Sequence, residues 1–201
     1  GTTHPLATID FHKRFEDFKI GFLDAPVSGM EERAREGTLT VMAGGSKEVF
    51  DTVKPALEAI GSTVVYMGLA GSGQLAKVIN NVFFNVACAT MAELLPLSVK
   101  MGLDPEKMID VAGSGSGQSF ALNTFGPLIL KRDFGQGYPM ESAYKDMSAI
   151  LEVVNRYHIP IPVTMSALST YQTALNRGLG KESKGAMVKI WEDVLGVEVK
   201  S

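Results

Sequence analysis

Apolar positions along the first seventy residues switch between two periods. Phe11, Phe15 and Phe18 fall on one face of a short helix predicted over Thr8–Lys19. Ile20–Leu23 reads as a short strand running into Asp24-Ala25-Pro26-Val27-Ser28-Gly29, and it should end at Pro26, which has no N–H for a ladder. Arg33–Gly37 reads as a polar connection closed by glycine, and the alternation in Thr38–Ala43 gives a second strand. Ser46 is placed to cap a helix whose stripe is Val49, Phe50, Val53, Leu57 and Ile60, with Gly61 closing it. Thr63–Met67 gives a third strand. From Gly71 onwards the strand pattern disappears. Leu75–Met101 is apolar on nearly every side and reads as the central helix of a bundle, kinked by Pro96. Asp104-Pro105 opens another helix, Gly113–Gly117 is a break, and helical patterns follow at Phe120–Lys131, Tyr144–Tyr157, Val163–Asn176 and Lys184–Leu195. The pattern predicts an α/β piece of about three strands in residues 1–70 and an all-α part in 71–201, mostly α overall. Three strands leave an open edge, which points to neighbouring strands from sequence before Gly1.

Composition narrows the classes. The chain has 201 residues, 45% hydrophobic and 20% charged, enough to bury a core. Its formal net charge is −3 without a basic block, so a nucleic-acid surface has no electrostatic support. The single cysteine, Cys88, excludes an internal disulfide and suits a reducing cytoplasm. His4, His12 and His158 are too scattered to suggest a metal site. Val78–Ala92 carries no charge, but Asn80, Asn81 and Asn85 interrupt it, and it is shorter than the roughly 20 apolar residues of a membrane span. A soluble core helix is the expectation, with no membrane partner. Gly1-Thr2-Thr3-His4-Pro5 carries no signal peptide and is not an initiating sequence.

Several constellations could carry chemistry. Gly71-Ser72-Gly73 opens the long helix, and a turn of that kind exposes backbone N–H groups suited to an anion. Lys77 sits near the start of that otherwise apolar helix, where both the helix dipole and burial disfavour an ammonium and would tune it for proton transfer. The alternative is a lysine that snorkels to solvent. Asn80 and Asn81 project from the same face as Lys77 and could bind a substrate oxygen. Ser28-Gly29, following a strand end, suits a carboxylate, although an ordinary Ser-Gly turn looks the same. Lys145-Asp146 would by itself be a solvated helix face. Gly113–Gly117 has the composition of a phosphate loop without its Lys-Ser/Thr ending, and Trp191 reads as core.

Taken together, Asp24–Gly29, Gly37–Gly45, Gly71-x-Gly73-x-x-x-Lys77-x-x-Asn80-Asn81 and Lys145-Asp146 resemble the β-hydroxyacid dehydrogenase family. That family includes 3-hydroxyisobutyrate dehydrogenase, tartronate semialdehyde reductase and 2-(hydroxymethyl)glutarate dehydrogenase. The resemblance runs from Thr2 to Val199 and implies a Rossmann domain joined by a long helix to an all-α domain like that ending 6-phosphogluconate dehydrogenase. It implies hydride transfer between NAD or NADP and a small β-hydroxyacid or its semialdehyde. The apolar helix Leu75–Met101 and the abundance of Leu and Met suggest in addition a homo-oligomer that buries surface of the helical domain. Carried over by position, Lys77 is the general acid/base and Asn81 holds the reacting oxygen. Ser28, Gly29, Asn80 and Asp146 bind substrate, while Thr2, Tyr138 and Lys145 contact the cofactor. Family members begin with a strand and Gly-x-Gly-x-x-Gly, which this sequence does not contain. Residues 1–70 are therefore expected to be the later part of a Rossmann domain, and the chain as given to show neither appreciable NAD(P) binding nor turnover. One position departs: Met30 stands where the family usually has glycine, which bears on the shape of the carboxylate pocket. Two alternatives remain. A 6-phosphogluconate-dehydrogenase-like enzyme would, by resemblance, carry His in place of Asn80. A non-catalytic helical dimerisation module would have no need of Ser28, Lys77, Asn81 and Lys145.

Overall fold

A computed structural model of the chain describes residues 2–201; Gly1, where the first predicted domain starts, lies outside them. The chain forms two compact units: the residues up to Asn80 together with Ala149–Tyr157, and Asn81–Ser148 together with His158–Ser201.

The first unit is α/β. Helix α1 (Pro5–Asp17) starts on a proline, whose missing N–H costs nothing at the first helical position. Strand β1 (Leu23–Asp24) and strand β2 (Val27–Ser28) flank Ala25-Pro26, and helix α2 (Met30–Arg35) follows. Strand β3 (Thr40–Gly45), buried from Val41 onwards, is the centre of the sheet. Helix α3 (Lys47–Glu58) crosses over to strand β4 (Thr63–Gly68), which lies parallel to β3. Ser46 caps α3 by accepting from the Val49 N–H at 3.2 Å.

Two details differ from the sequence reading. The strand does not end at Pro26. Both β1 and β2 pair antiparallel with β3, Leu23 opposite Gly45 and Val27 opposite Val41, so the segment is one edge strand with an interruption. Pro26 is fully buried at that interruption, and its carbonyl still accepts from Met42 N at 3.0 Å. An edge strand tolerates the missing donor because its other side needs no ladder. The sheet therefore has four strands rather than the expected three or so, because one predicted strand is split. Arg33–Gly37, read as a connection, is largely helix. Glu31 and Glu32 in the first turn of α2 and Arg33 and Arg35 in the last complement its dipole.

One buried carboxylate ties this sheet to the long helix α4 (Ser72–Lys100). Asp24, 4% exposed, accepts from Gly71 N through Oδ1 and from Gln74 N through Oδ2, both at 2.7 Å. These donors belong to the start of α4, where backbone N–H groups have no partner within the helix. The approach requires glycine on both sides. A Cβ at Gly44 would lie 2.7 Å from Asp24 Oδ1, and one at Gly73 would lie 2.8 Å from Asp24 Oδ2.

The second unit is all-α. It contains α4 from Asn81 onwards, α5 (Pro105–Ser114), α6 (Phe120–Leu130), the part of α7 (Met140–Tyr157) up to Ser148, α8 (Pro162–Asn176) and α9 (Val188–Leu195). Asp104 and Ser119 cap α5 and α6. Phe125, Ile129, Met140, Met147, Tyr171, Met187 and Val188 are fully buried and form the core. Burial of side chains of this size contributes about 1.5–3 kcal/mol each. α4 continues through Pro96. By length and composition α4 could cross a bilayer, yet Cys88, Ala89, Ala92 and Leu95 are buried among the helices of this unit. The helix expected from Lys184 opens instead as a 3-10 turn, Lys184–Met187. There Ser183 N donates to Phe134 O and Met140 N to Glu182 O, holding the segment against residues 134–140 before α9 can start. Trp191 is half-buried rather than central.

Replacing Asp24 by Asn keeps the shape but turns an N–H donor toward N–H donors. The unfolding free energy measured in urea should fall by about 1–3 kcal/mol. Unchanged stability would mean that the tie between β1 and α4 contributes nothing.

Candidate active site

The first unit assembles Ser28, Gly29, Lys77 and Asn80. β2 ends at Ser28, and Gly29, with φ 146°, precedes α2. A Cβ at Gly29 would lie 2.9 Å from both Arg33 Cβ and Leu39 Cδ2, so the turn requires glycine there. Met30 then adopts φ 59°, a left-handed conformation that costs a side-chain-bearing residue about 1–2 kcal/mol. Its own side chain is exposed. The glycine usual in the resembling family would take this backbone without strain. Asn80 Nδ2 donates to Ser28 Oγ at 3.5 Å, a long hydrogen bond that brings the turn against α4. Lys77, half-buried, precedes Asn80 by three residues on the same helix face. Thr2 is half-buried, and its neighbour Thr3 donates from its backbone N–H to Gln74 Oε1 at 2.8 Å.

In the second unit, Asn81 Nδ2 donates to Asp146 Oδ2 at 3.2 Å. Lys145 and Asp146 are not the solvated pair that adjacent opposite charges suggest. Asp146 is buried, whereas Lys145 is exposed with Nζ 3.6 Å from Asp146 Oδ1. Consecutive helical residues point about 100° apart, which allows one to face inward and the other outward. The Tyr138 ring lies 5.9 Å from Lys184 Nζ.

The Gly71–Gly73 turn is not an open anion site, because the anion it holds is the chain's own Asp24. A nucleotide pyrophosphate does not fit there. The Asp24 carboxylate thus sits at the positive start of α4, the end nearer Lys77.

Two family models match. The model described as NAD-binding of NADP-dependent 3-hydroxyisobutyrate dehydrogenase covers residues 71–191, and that described as the NAD binding domain of 6-phosphogluconate dehydrogenase covers residues 1–68. The chain belongs to the β-hydroxyacid dehydrogenase family. NAD or NADP is the cofactor of such dehydrogenases. Among curated relatives, the chain is 36% identical to 2-(hydroxymethyl)glutarate dehydrogenase of Eubacterium barkeri over 97% of its own length and 65% of the relative's. It is 31% identical to 2-hydroxy-3-oxopropionate reductase of Escherichia coli over 94% of its length and 64% of that enzyme's. The chain therefore spans about two-thirds or slightly less of the relatives it matches. The crystal structure of 3-hydroxyisobutyrate dehydrogenase from Salmonella typhimurium superposes with a TM-score of 0.86 at 28% identity, covering 94% of this chain and 67% of that one.

Sequence reasoning passed over one polar cluster in this β-hydroxyacid dehydrogenase chain. Lys184, 4% exposed, donates from Nζ to Asn85 Oδ1 at 3.0 Å. The Tyr171 hydroxyl donates to Asn85 O at 3.2 Å, and Cys88 lies beside both residues. The available signal was the run Asn81, Asn85, Cys88, which repeats at helical spacing on an apolar helix. Burial pushes the Cys88 thiol up to about 12, against the opposing pull of Lys184 and the Tyr171 hydrogen bond. Burial, and after it the neighbouring Cys88, raises the Tyr171 phenol well above its ordinary value. Both groups keep their protons in the folded chain at pH values where the unfolded chain releases them. The folded state then binds more protons, so stability should fall as pH rises above about 9. Each group contributes at most about 1.4 kcal/mol per pH unit. Denaturation curves from pH 8 to 11 should show this decline, less steeply in Cys88→Ala. An identical slope in the variant would exclude Cys88 as a source.

Proposed function

We propose that this chain carries the substrate-activating part of an NAD(P)-dependent β-hydroxyacid dehydrogenase in which Lys77 is the general acid/base. The observation that carries the reading is the Asn80–Ser28 hydrogen bond. It sets a carboxylate-binding type of turn against α4 one helical turn from a half-buried amine. The two relatives described are named for small carboxylates bearing a hydroxyl or carbonyl group, which fits that donor set. The family matches meet between residues 68 and 71, in support of reading residues 1–70 as Rossmann and 71–201 as the substrate and dimerisation domain.

In this reading the Ser28 hydroxyl and the backbone at Gly29 grip the substrate carboxylate. Lys77 takes the proton from the substrate hydroxyl during oxidation and returns it to the carbonyl oxygen during reduction. Asn80 and Asn81, three and four residues further along α4, donate to substrate oxygens. Asp146 fixes the Asn81 amide by accepting from it, and Lys145, Tyr138 and Thr2 contact the cofactor. The bound nicotinamide supplies the acceptor or donor of the hydride. The buried, reduced Cys88 suits a cytoplasmic enzyme.

Positioned proton transfer contributes about 10²–10⁴-fold to rate. In the full-length enzyme, assayed with small β-hydroxyacids and NAD⁺ or NADP⁺, Lys77→Ala should lower kcat by about that factor with little change in cofactor KM. A variant that keeps most of its kcat would remove Lys77 from the chemistry.

We also propose that two copies associate through α4. Phe83, Leu94 and Leu97 on α4 and Met101 just after it are exposed at spacings of eleven, three and four residues, an apolar stripe on one helix face that a two-fold axis can pair with itself. Light scattering should find a dimer or higher oligomer, and Leu94→Glu with Leu97→Glu should shift it to monomer. A wild-type chain that is monomeric at micromolar concentration would rule the interface out.

A further inference from the structure

Gln74 does two separate things at the start of α4. Its backbone N–H donates to Asp24 Oδ2 at 2.7 Å, as the first turn of a helix requires. Its side chain turns elsewhere: Oε1 accepts from the backbone N–H of Thr3 at 2.8 Å, 71 residues away in sequence. Gln74 is 6% exposed, whereas Thr3 is an exposed residue. Burial of Thr3 therefore does not force the contact. A long, flexible amide is a poor filler for a buried position, since it loses rotamer freedom and must find a hydrogen-bond partner. An apolar side chain would serve packing better. The bond to Thr3 is what the amide adds.

That bond fixes more than one atom. The Thr3 N–H belongs to the planar peptide that also carries the Thr2 carbonyl and Thr2 Cα, so holding the N–H sets all of them together. On the far side the segment is anchored at His4, whose carbonyl accepts from Thr8 N at 3.1 Å and Thr8 Oγ1 at 3.0 Å as α1 begins. Without Gln74, the Thr2–Thr3 peptide would swing about the soft dihedrals of Thr3 and His4. Lys77 follows Gln74 by three residues on α4, about 4.5 Å along its axis. All of these residues belong to the first unit.

We infer that Gln74 is a positioning residue, a strut that holds Thr2 at a fixed distance from Lys77. The inference rests on the proposed function, in which Thr2 contacts the cofactor and Lys77 moves the substrate proton. Hydride leaves the hydroxyl-bearing carbon and the proton leaves that hydroxyl, so the cofactor side and the amine must keep one spacing for both transfers. Misplacement by about 1 Å can cost on the order of 10²-fold in rate. Gln74 touches neither substrate nor cofactor in this assignment and acts through Thr2.

Amide hydrogen exchange on the chain itself reads the strut directly. Gln74→Met removes the acceptor and should speed exchange at Thr3 by at least about tenfold, while Gln74→Glu, which keeps an acceptor oxygen, should retain the protection. In the full-length enzyme, Gln74→Met should lower kcat by about 10–100-fold. It should also weaken NADH or NADPH binding by at least about threefold in a fluorescence titration and leave the KM of the β-hydroxyacid unchanged. Gln74→Glu should restore most of both. Should Gln74→Met fail to fold, Thr3→Pro removes the donor instead and should give the same kinetic losses. A folded Gln74→Met whose Thr3 amide exchanges like the wild type overturns the strut. So does a wild-type kcat in Gln74→Met or Thr3→Pro, or a loss that Gln74→Glu does not repair. If Lys77→Ala keeps its kcat in the same assays while Gln74→Met still weakens the cofactor, the acid/base reading fails and the hold on Thr2 stands.

Discussion

The Asp24 carboxylate, shared between the Gly71 and Gln74 N–H groups, is the interaction on which the rest of the first unit depends. It acts on the sheet and on the helix together. Asp24 ends β1, so the edge strand cannot slide along β3 without leaving the start of α4 unpaired. It also fills the anion position of a glycine-opened helix, which fixes where α4 begins and hence where Lys77 and Asn80 stand relative to Ser28. The arrangement needs Gly44 and Gly73 on either side, because any side chain there would meet the carboxylate. Three motifs that resemble separate functional signatures are thus one mechanical unit.

This accounts for what the sequence disclosed and what it concealed. Helices with clear stripes and caps, such as those starting after Ser46, Asp104 and Ser119, were legible because the signal lies within a few residues. So was the order of the motifs, and with it the family. The role of Asp24 was not legible: its partners are backbone groups 47 and 50 residues away, and nothing about an aspartate in a strand marks it as a helix cap. The split at Pro26 was misjudged for a related reason. A proline ends a strand only where its N–H is needed, and whether a strand lies at an edge is a tertiary fact.

The polar side chains divide along the same line. Lys77, Asn80 and Asn81 could be placed on one helix face from spacing alone, and Ser28 from its position after a strand. Lys184 could not. In the sequence it stands in a polar stretch beside Lys181 and Glu182, where a lysine normally points to solvent. It is buried because Ser183 and Glu182 bond back to residues 134–140, turning an expected helix into a 3-10 turn. The helical period that guided the rest of the reading fails at the place where the side chain turns inward.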